Sequence, residues 1–252
     1  MAFRLTTGPK WMVGQALRNA KGGVSRRAAR LEQWRRFWRS YRRYSEMPGS
    51  AASVDFLFPC LGEDTGETPV EPTYFFQDAW AFEKIYAARP RQHVDVGSHH
   101  RFVSFLSKVV PTTMVDVRPL QAHMETIGFV EGTILELPFP DASLPSVSSI
   151  CVVEHVGLGR YGDPLDPHGT EKAMAELRRV VAPGGDLYVS LPLDDVDREH
   201  FNAHRVFTEE TALSMFEPFE VVESRYIHGY SFVEERQPGP GVGCYHLRRP
   251  AA

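Results

Sequence analysis

Two carboxylates stand at the ends of apolar runs 21 residues apart, Asp95 in His93-Val94-Asp95-Val96-Gly97-Ser98 and Asp116 in Met114-Val115-Asp116-Val117. In an open parallel sheet, ligands bind outside the carboxyl ends of the strands, and an acid about 20 residues past the first tight turn holds vicinal ribose hydroxyls. The pair therefore reads as a nucleotide-type cofactor site, with Asp95, Gly97 and Ser98 shaping the turn and Asp116 and Val117 at the ribose. Acids also cap strand ends without binding anything, and spacing alone leaves that alternative standing.

Two further polar clusters follow later apolar runs. Glu154-His155 leads into the Gly- and Pro-rich loop Gly157-Leu158-Gly159-Arg160-Tyr161-Gly162-Asp163-Pro164, and Asn202, His204 and Arg205 lie between Phe201 and Phe207. Loops of this kind present functional groups on a rigid scaffold. Arg160, Tyr161, Asp163, Asn202 and Arg205 suit an acceptor pocket for a polyhydroxylated or anionic ligand, and His155 and His204 are candidate general bases. Each has a structural alternative: a buried Glu154–His155 pair, an Arg160–Asp163 salt bridge, or His204 and Arg205 bracing the sheet end. His155, Asp163, Asp166 and His168 match no known metal-ligand spacing, so no metal is expected.

The elements that must position these groups alternate between strand and helix, the pattern of an α/β domain. Strands are expected near 93–96, 113–117, 128–131, 147–152, 186–191, 219–227 and 242–248, the last two as an antiparallel hairpin. The stripe Ala173, Met174, Leu177, Val180 and Val181 predicts a helix from Thr170 that stops at Pro183-Gly184-Gly185. Thr208 is the expected N-cap of a helix to Met215, with Glu209 and Glu210 in its first turn. A helix also precedes the first strand, ending at Pro90, and Val54–Cys60 reads as a short strand. Cys60, Cys151 and Cys244 are widely spaced, which fits a reducing compartment rather than a disulfide framework.

Three motifs carry a family resemblance: Leu137-Pro138-Phe139-Pro140-Asp141, Glu154-His155, and Leu177-Arg178-Arg179-Val180-Val181-Ala182-Pro183-Gly184-Gly185. With them, residues 70 to 248 resemble the class I S-adenosylmethionine-dependent methyltransferases. The segments 154–169 and 201–207 are similar to an uncharacterised bacterial methyltransferase-like group linked to surface-polysaccharide synthesis. The resemblance implies a Rossmann-like open twisted sheet of about seven mostly parallel strands. It implies S-adenosylmethionine as cofactor, held by Asp95, Gly97, Ser98, Asp116, Val117, Thr133 and Glu154, with Tyr74 and Gln77 covering it. The implied reaction is O-methylation of a sugar or glycan hydroxyl. Four positions depart from the family pattern: His99 and Arg101 replace glycines of the turn, Thr133 replaces the acid near the adenine, and Pro145 replaces the acid that opens the fourth strand. These departures support a second expectation, an inactive methyltransferase-fold scaffold in a membrane-associated glycan-assembly complex. A nicotinamide-dependent oxidoreductase fits less well, because no G-x-G-x-x-G turn is present.

Charge is divided sharply along the chain. Residues 1–45 hold twelve of the 28 Lys and Arg but one of the 32 acids, so this segment carries +11 and the rest −15. Val24, Ala28, Leu31, Trp34, Trp38 and Tyr41 recur at helical spacing among eight arginines, which predicts a basic amphipathic helix. Residues 24–44 suit the interface of an anionic membrane; docking of the tryptophan stripe on the acidic catalytic domain or on an oligomer partner, with the arginines solvated, is the alternative. A nucleic-acid arm is disfavoured for want of a recognition motif. No stretch of 18 apolar residues and no secretory leader pattern occurs, and the expected location is cytoplasmic, peripheral on the inner membrane face. The expected domains are a basic extension (1–46), a linker (47–72) and a methyltransferase-like domain (73–252).

Overall fold

A computed structural model describes the backbone of residues 8–251 and the side chains of 27–251. The Val24 and Arg26 side chains of the predicted amphipathic pattern, and residues 1–7, lie outside the described residues. The chain divides into two compact units, one ending at Pro69 and one beginning at Val70.

In the first unit, α1 runs Gly8–Ser45. Trp34, Phe37, Trp38 and Tyr41 make successive edge-to-face contacts at 5.4–5.8 Å between ring centroids. The following segment returns along this helix: Arg36 pairs with Asp64, and the Gln33 side chain lies against Gly62. The expected strand at Val54–Cys60 is absent. Ser53 accepts a hydrogen bond from the Asp55 amide at 3.2 Å and caps a single 3-10 turn, Val54–Phe56, leaving Phe56 and Phe58 88% and 86% exposed. A strand needs a partner edge, and none is offered there.

The second unit opens with α2 (Pro72–Ala88). Glu71 caps it by accepting from the Tyr74 amide at 2.7 Å, and Pro72 sits in its first turn, where the missing N–H costs nothing. Then follow β1 (His93–Val96), α3 (His100–Leu106), β2 (Thr112–Asp116), β3 (Ile127–Glu131), β4 (Leu144–Ile150), a 3-10 turn (Val153–His155), α4 (Gly169–Val180) and β5 (Val181–Leu193). The chain continues through β6 (Arg198–His200), β7 (His204–Val206), α5 (Glu209–Phe216), β8 (Glu220–His228), β9 (Ser231–Val233) and β10 (Gly241–Arg248). The main sheet has the order β3-β2-β1-β4-β5-β10-β8-β9. Strands β1 to β5 are parallel, while β10 runs antiparallel to both β5 and β8, so the Rossmann-like α/β expectation with its reversed C-terminal pair holds.

Alternate residues of each strand feed two cores. Val94, Val96, Val115, Leu187 and Val189 pack with Met174, Leu177 and Phe216 of α4 and α5, whereas Met114, Ile150, Tyr188 and Cys244 pack with Trp80, Ile85, Phe102 and Leu106 of α2 and α3. Two details differ from expectation. Helix α4 ends at Val180, and Pro183-Gly184-Gly185 lie inside β5: pairing jumps from Leu144–Val181 to Ser146–Asp186, so these residues bulge out, with Gly184 at φ +72°. The second difference is an added hairpin, β6–β7, which carries the 201–207 cluster.

Candidate functional site

The parallel strands place their polar ends on one edge of the sheet. There a cavity of about 940 Å³ runs from Gly97 and Asp116 across Cys151, Glu154 and His155 to Arg160, Tyr161 and His204. A smaller cavity of about 120 Å³ adjoins it, sharing Gly97, Asp116, Arg118 and Tyr161, and is walled by Val117, Thr133, Ile134 and Val156.

Gly97 turns the chain sharply after β1. Its φ is +72°, and a Cβ there would meet Val152 Cγ1 at 2.9 Å, so the backbone must be bare at this point. Asp95 points into the structure rather than into either cavity. Its carboxylate accepts from the Ser98 amide (3.1 Å) and the Ser148 hydroxyl (2.5 Å), and burial pushes its pKa up to about 6. Ser148 also contacts His93 Nε2 at 2.9 Å, and burial lowers the His93 pKa to about 3, so that ring stays neutral. Ser98 braces the turn by accepting from the Ile150 amide at 2.9 Å. His99 and Arg101, where the family pattern has glycine, open α3. His99 has φ −64° and accepts from the Arg101 amide at 3.3 Å, a conformation that needs no glycine.

Asp116 ends β2 with its side chain largely buried, accepting from the Arg118 amide at 2.9 Å and 3.6 Å from Arg118 Nε. It lines both cavities. Thr133 lines the smaller one and uses its hydroxyl to accept from the Leu135 amide at 3.2 Å.

After β4 the chain delivers Glu154 and His155. Glu154 is 1% exposed, one carboxylate oxygen has no hydrogen-bond partner, and burial raises its pKa to about 8. The other oxygen is 3.7 Å from His155 Nε2. His155 Nδ1 is 2.6 Å from the Ala203 carbonyl, which can only accept, so Nδ1 carries the proton and Nε2 presents a lone pair. Burial lowers the His155 pKa to about 4. His204, on β7, has its ring 6.3 Å from that of His155, and burial together with nearby His200 and Arg160 lowers its pKa. Tyr161 packs edge-on against His155 at 5.8 Å.

The remaining predicted residues serve the loops. Asp163 accepts from the amides of Gly157 (2.7 Å), Gly159 (3.4 Å) and Tyr161 (3.2 Å), so it organises the loop backbone and forms no ion pair with Arg160. Arg205 is buried and donates to Val156 O (2.6 Å), Thr170 Oγ1 (3.1 Å), Asp166 O (3.2 Å) and Glu199 (2.9 Å), tying the β6–β7 hairpin to the loop before α4. Asn202 occupies the hairpin turn at φ +60°, exposed and outside both cavities. Gln77 is fully buried beneath the site, accepting from Cys151 and Ser190. Sequence reasoning did not find Glu71, His100 and His123, which also line the large cavity. The first belongs to a helix cap and the last to an irregular stretch, so neither has a periodic signal. Among the described residues no three His, Cys, Asp or Glu side chains gather as metal ligands.

Solved structures of the same architecture are numerous. Burkholderia thailandensis 1,6-didemethyltoxoflavin-N1-methyltransferase, solved with bound 1,6-didemethyltoxoflavin and S-adenosylhomocysteine, is 17% identical with a TM-score of 0.52, covering 71% of this chain and 80% of that one. The chain has a methyltransferase-type fold. N-methyltransferase NodS from Bradyrhizobium japonicum WM9 is 16% identical with a TM-score of 0.52, over 71% of this chain and 98% of that one. The [4+2]-cyclase SpnF also matches, at 14% identity and a TM-score of 0.52, over 69% and 82% of the two chains. A family model described as "Caenorhabditis protein of unknown function, DUF268" matches residues 141–234. No curated protein matches the chain.

Proposed function

We propose that the protein is an S-adenosylmethionine-dependent methyltransferase that O-methylates a sugar or glycan hydroxyl. The observation that carries this is the placement of Asp116: a strand-end carboxylate shared by a small, mostly apolar cavity and a much larger one whose lining has a greater share of polar surface. The residues fit the cofactor. Asp116 would hold the ribose hydroxyls, the apolar cavity beside Val117 and Thr133 would take the adenine, and the bare Gly97 backbone with the unpartnered Glu154 oxygen would face the methionine end. When bound, the cofactor would supply a sulfonium methyl for in-line transfer, and the task of this chain would be to align the acceptor hydroxyl and take its proton. His155 Nε2 is the acceptor for that proton, with His204 as the second candidate. The expected result is that His155→Ala lowers turnover of radiolabelled methyl transfer at least about tenfold, while S-adenosylhomocysteine affinity is kept. Full activity in both His155→Ala and His204→Ala would remove these residues from the mechanism.

The second reading, an inactive scaffold, draws on His99, Arg101, Thr133 and Pro145. It loses part of its ground because His99 adopts a conformation open to any residue. SpnF, named as a cyclase, keeps in view that one fold carries different reactions.

The link to surface-polysaccharide synthesis rests on the resemblance of segments 154–169 and 201–207. With it goes attachment to the inner face of a membrane through α1. Among the described residues no helix is long and apolar enough to cross a bilayer. Support for surface attachment comes from the half-exposed Leu31 and Trp38, flanked by Arg35, Arg39, Arg42 and Arg43, and from exposed Phe56 and Phe58. Each basic residue near an anionic surface contributes about 1 kcal/mol. Neutralising those four arginines to glutamine is therefore expected to abolish sedimentation with phosphatidylserine vesicles, and unchanged sedimentation would contradict the attachment.

A further inference from the structure

Two guanidinium groups converge on the Tyr161 ring at the rim of the large cavity, Arg118 at 4.5 Å and Arg160 at 5.1 Å from its centroid. Their surroundings differ. Arg118 stands 3.6 Å from the Asp116 carboxylate, which offsets its charge. Arg160 is held by a neutral group: Nη1 donates to the Ala203 carbonyl at 3.2 Å, and Cζ lies over the tyrosine ring. Among the described residues no carboxylate forms an ion pair with it. Asp163, three residues on, turns its carboxylate to the amides of its own loop, and Glu154 is buried and keeps its proton up to pH about 8. Of the five histidines that line the cavity, His99, His155 and His204 have lowered pKa values and add no fixed charge at neutral pH.

A guanidinium fixed through one nitrogen and seated over an aromatic ring keeps its other N–H groups in the planar fork that fits a carboxylate or phosphate. We infer that Arg160 is an anion subsite that anchors the acceptor by a carboxylate or phosphate group, on the same side of the cavity as His155. The acceptor is thus an acidic or phosphorylated sugar rather than a neutral one, an assignment that rests on the transferase reading above. A hexuronate or hexose phosphate carries its anionic group and its ring hydroxyls on one compact frame. A cavity of about 940 Å³ lies at the large end of the range for small-molecule sites and leaves room for such a ligand beside a nucleoside cofactor.

The test is calorimetric titration of the full chain, saturated with S-adenosylhomocysteine, with glucuronate, glucose 1-phosphate and glucose. At least one anionic sugar is expected to bind about tenfold or more tightly than glucose. Arg160→Gln should erase that preference with S-adenosylhomocysteine affinity unchanged, and Arg160→Lys should restore part of it, because lysine keeps the charge but lacks the fork. The stronger of the two anions tells carboxylate from phosphate. Equal binding of all three sugars, no binding of any, or an undiminished preference in Arg160→Gln overturns the subsite. Absence of S-adenosylhomocysteine binding fails the transferase reading instead; the same titration without it then decides the subsite, by whether an Arg160-dependent preference is present.

Discussion

The ends of β1 and β2, and the loop beyond β4 with the β6–β7 hairpin, border the same cavity but use their polar residues differently. At β1 and β2 two positions shape the site: Gly97 clears backbone and Asp116 presents a carboxylate. In the loops, charged residues are plentiful and several are consumed by the loops themselves. Asp163 collects three backbone amides, Arg205 makes four hydrogen bonds within the chain, and Asn202 makes a turn. The short turn after β1 is braced by two residues, Asp95 and Ser98, whereas a long irregular loop must find partners for many more backbone polar groups. Polar residues at a sheet edge therefore divide into those that face the ligand and those that hold the others in place.

Substitutions on the two sides should separate accordingly. The largest effect is expected from Asp116→Ala, which should weaken S-adenosylhomocysteine binding on the order of 100-fold, by loss of charge-assisted hydrogen bonds, with little change in melting temperature. Arg205→Ala should do the reverse, lowering stability by about 3 kcal/mol in chemical denaturation while cofactor affinity changes little. Gly97→Ala should cost about 1–3 kcal/mol, since it combines a left-handed φ with a contact against Val152, and should lower cofactor affinity as well. Asn202→Gly should change neither property measurably, as glycine accepts the same turn.

The pH dependence of turnover sharpens the choice of base. His155, with a pKa lowered to about 4, is already unprotonated at neutral pH, so if it takes the proton the rate rises through pH 4 and is level from 6 to 9. Glu154, raised to about 8, is protonated at neutral pH; if it were the base, the rate would climb through pH 8.

Much of this site was legible in the sequence, for physical reasons that can be named. Apolar runs that stop at Gly97 and Asp116 mark strand ends, and strand ends of a parallel sheet mark the ligand edge. The motif blocks Leu137–Asp141 and Leu177–Gly185 signalled the fold because they bind each other: Arg179 donates to Leu137 O (3.0 Å), Phe139 O (2.9 Å) and Asp141 (2.7 Å). Orientation was not legible. Nothing in the spacing of Asp163 and Arg205 says that they turn inward to the backbone, and nothing in Asp95 says that it bonds Ser148 instead of a ligand. The cavity walls supplied by Glu71 and His123 come from a helix cap and an irregular stretch, whose proximity exists only once the sheet has formed.

The most direct measurement is calorimetric titration of the folded protein with S-adenosylmethionine and S-adenosylhomocysteine. The account predicts micromolar binding of both to the wild type and its loss in Asp116→Ala. A folded wild-type protein that binds neither would contradict it.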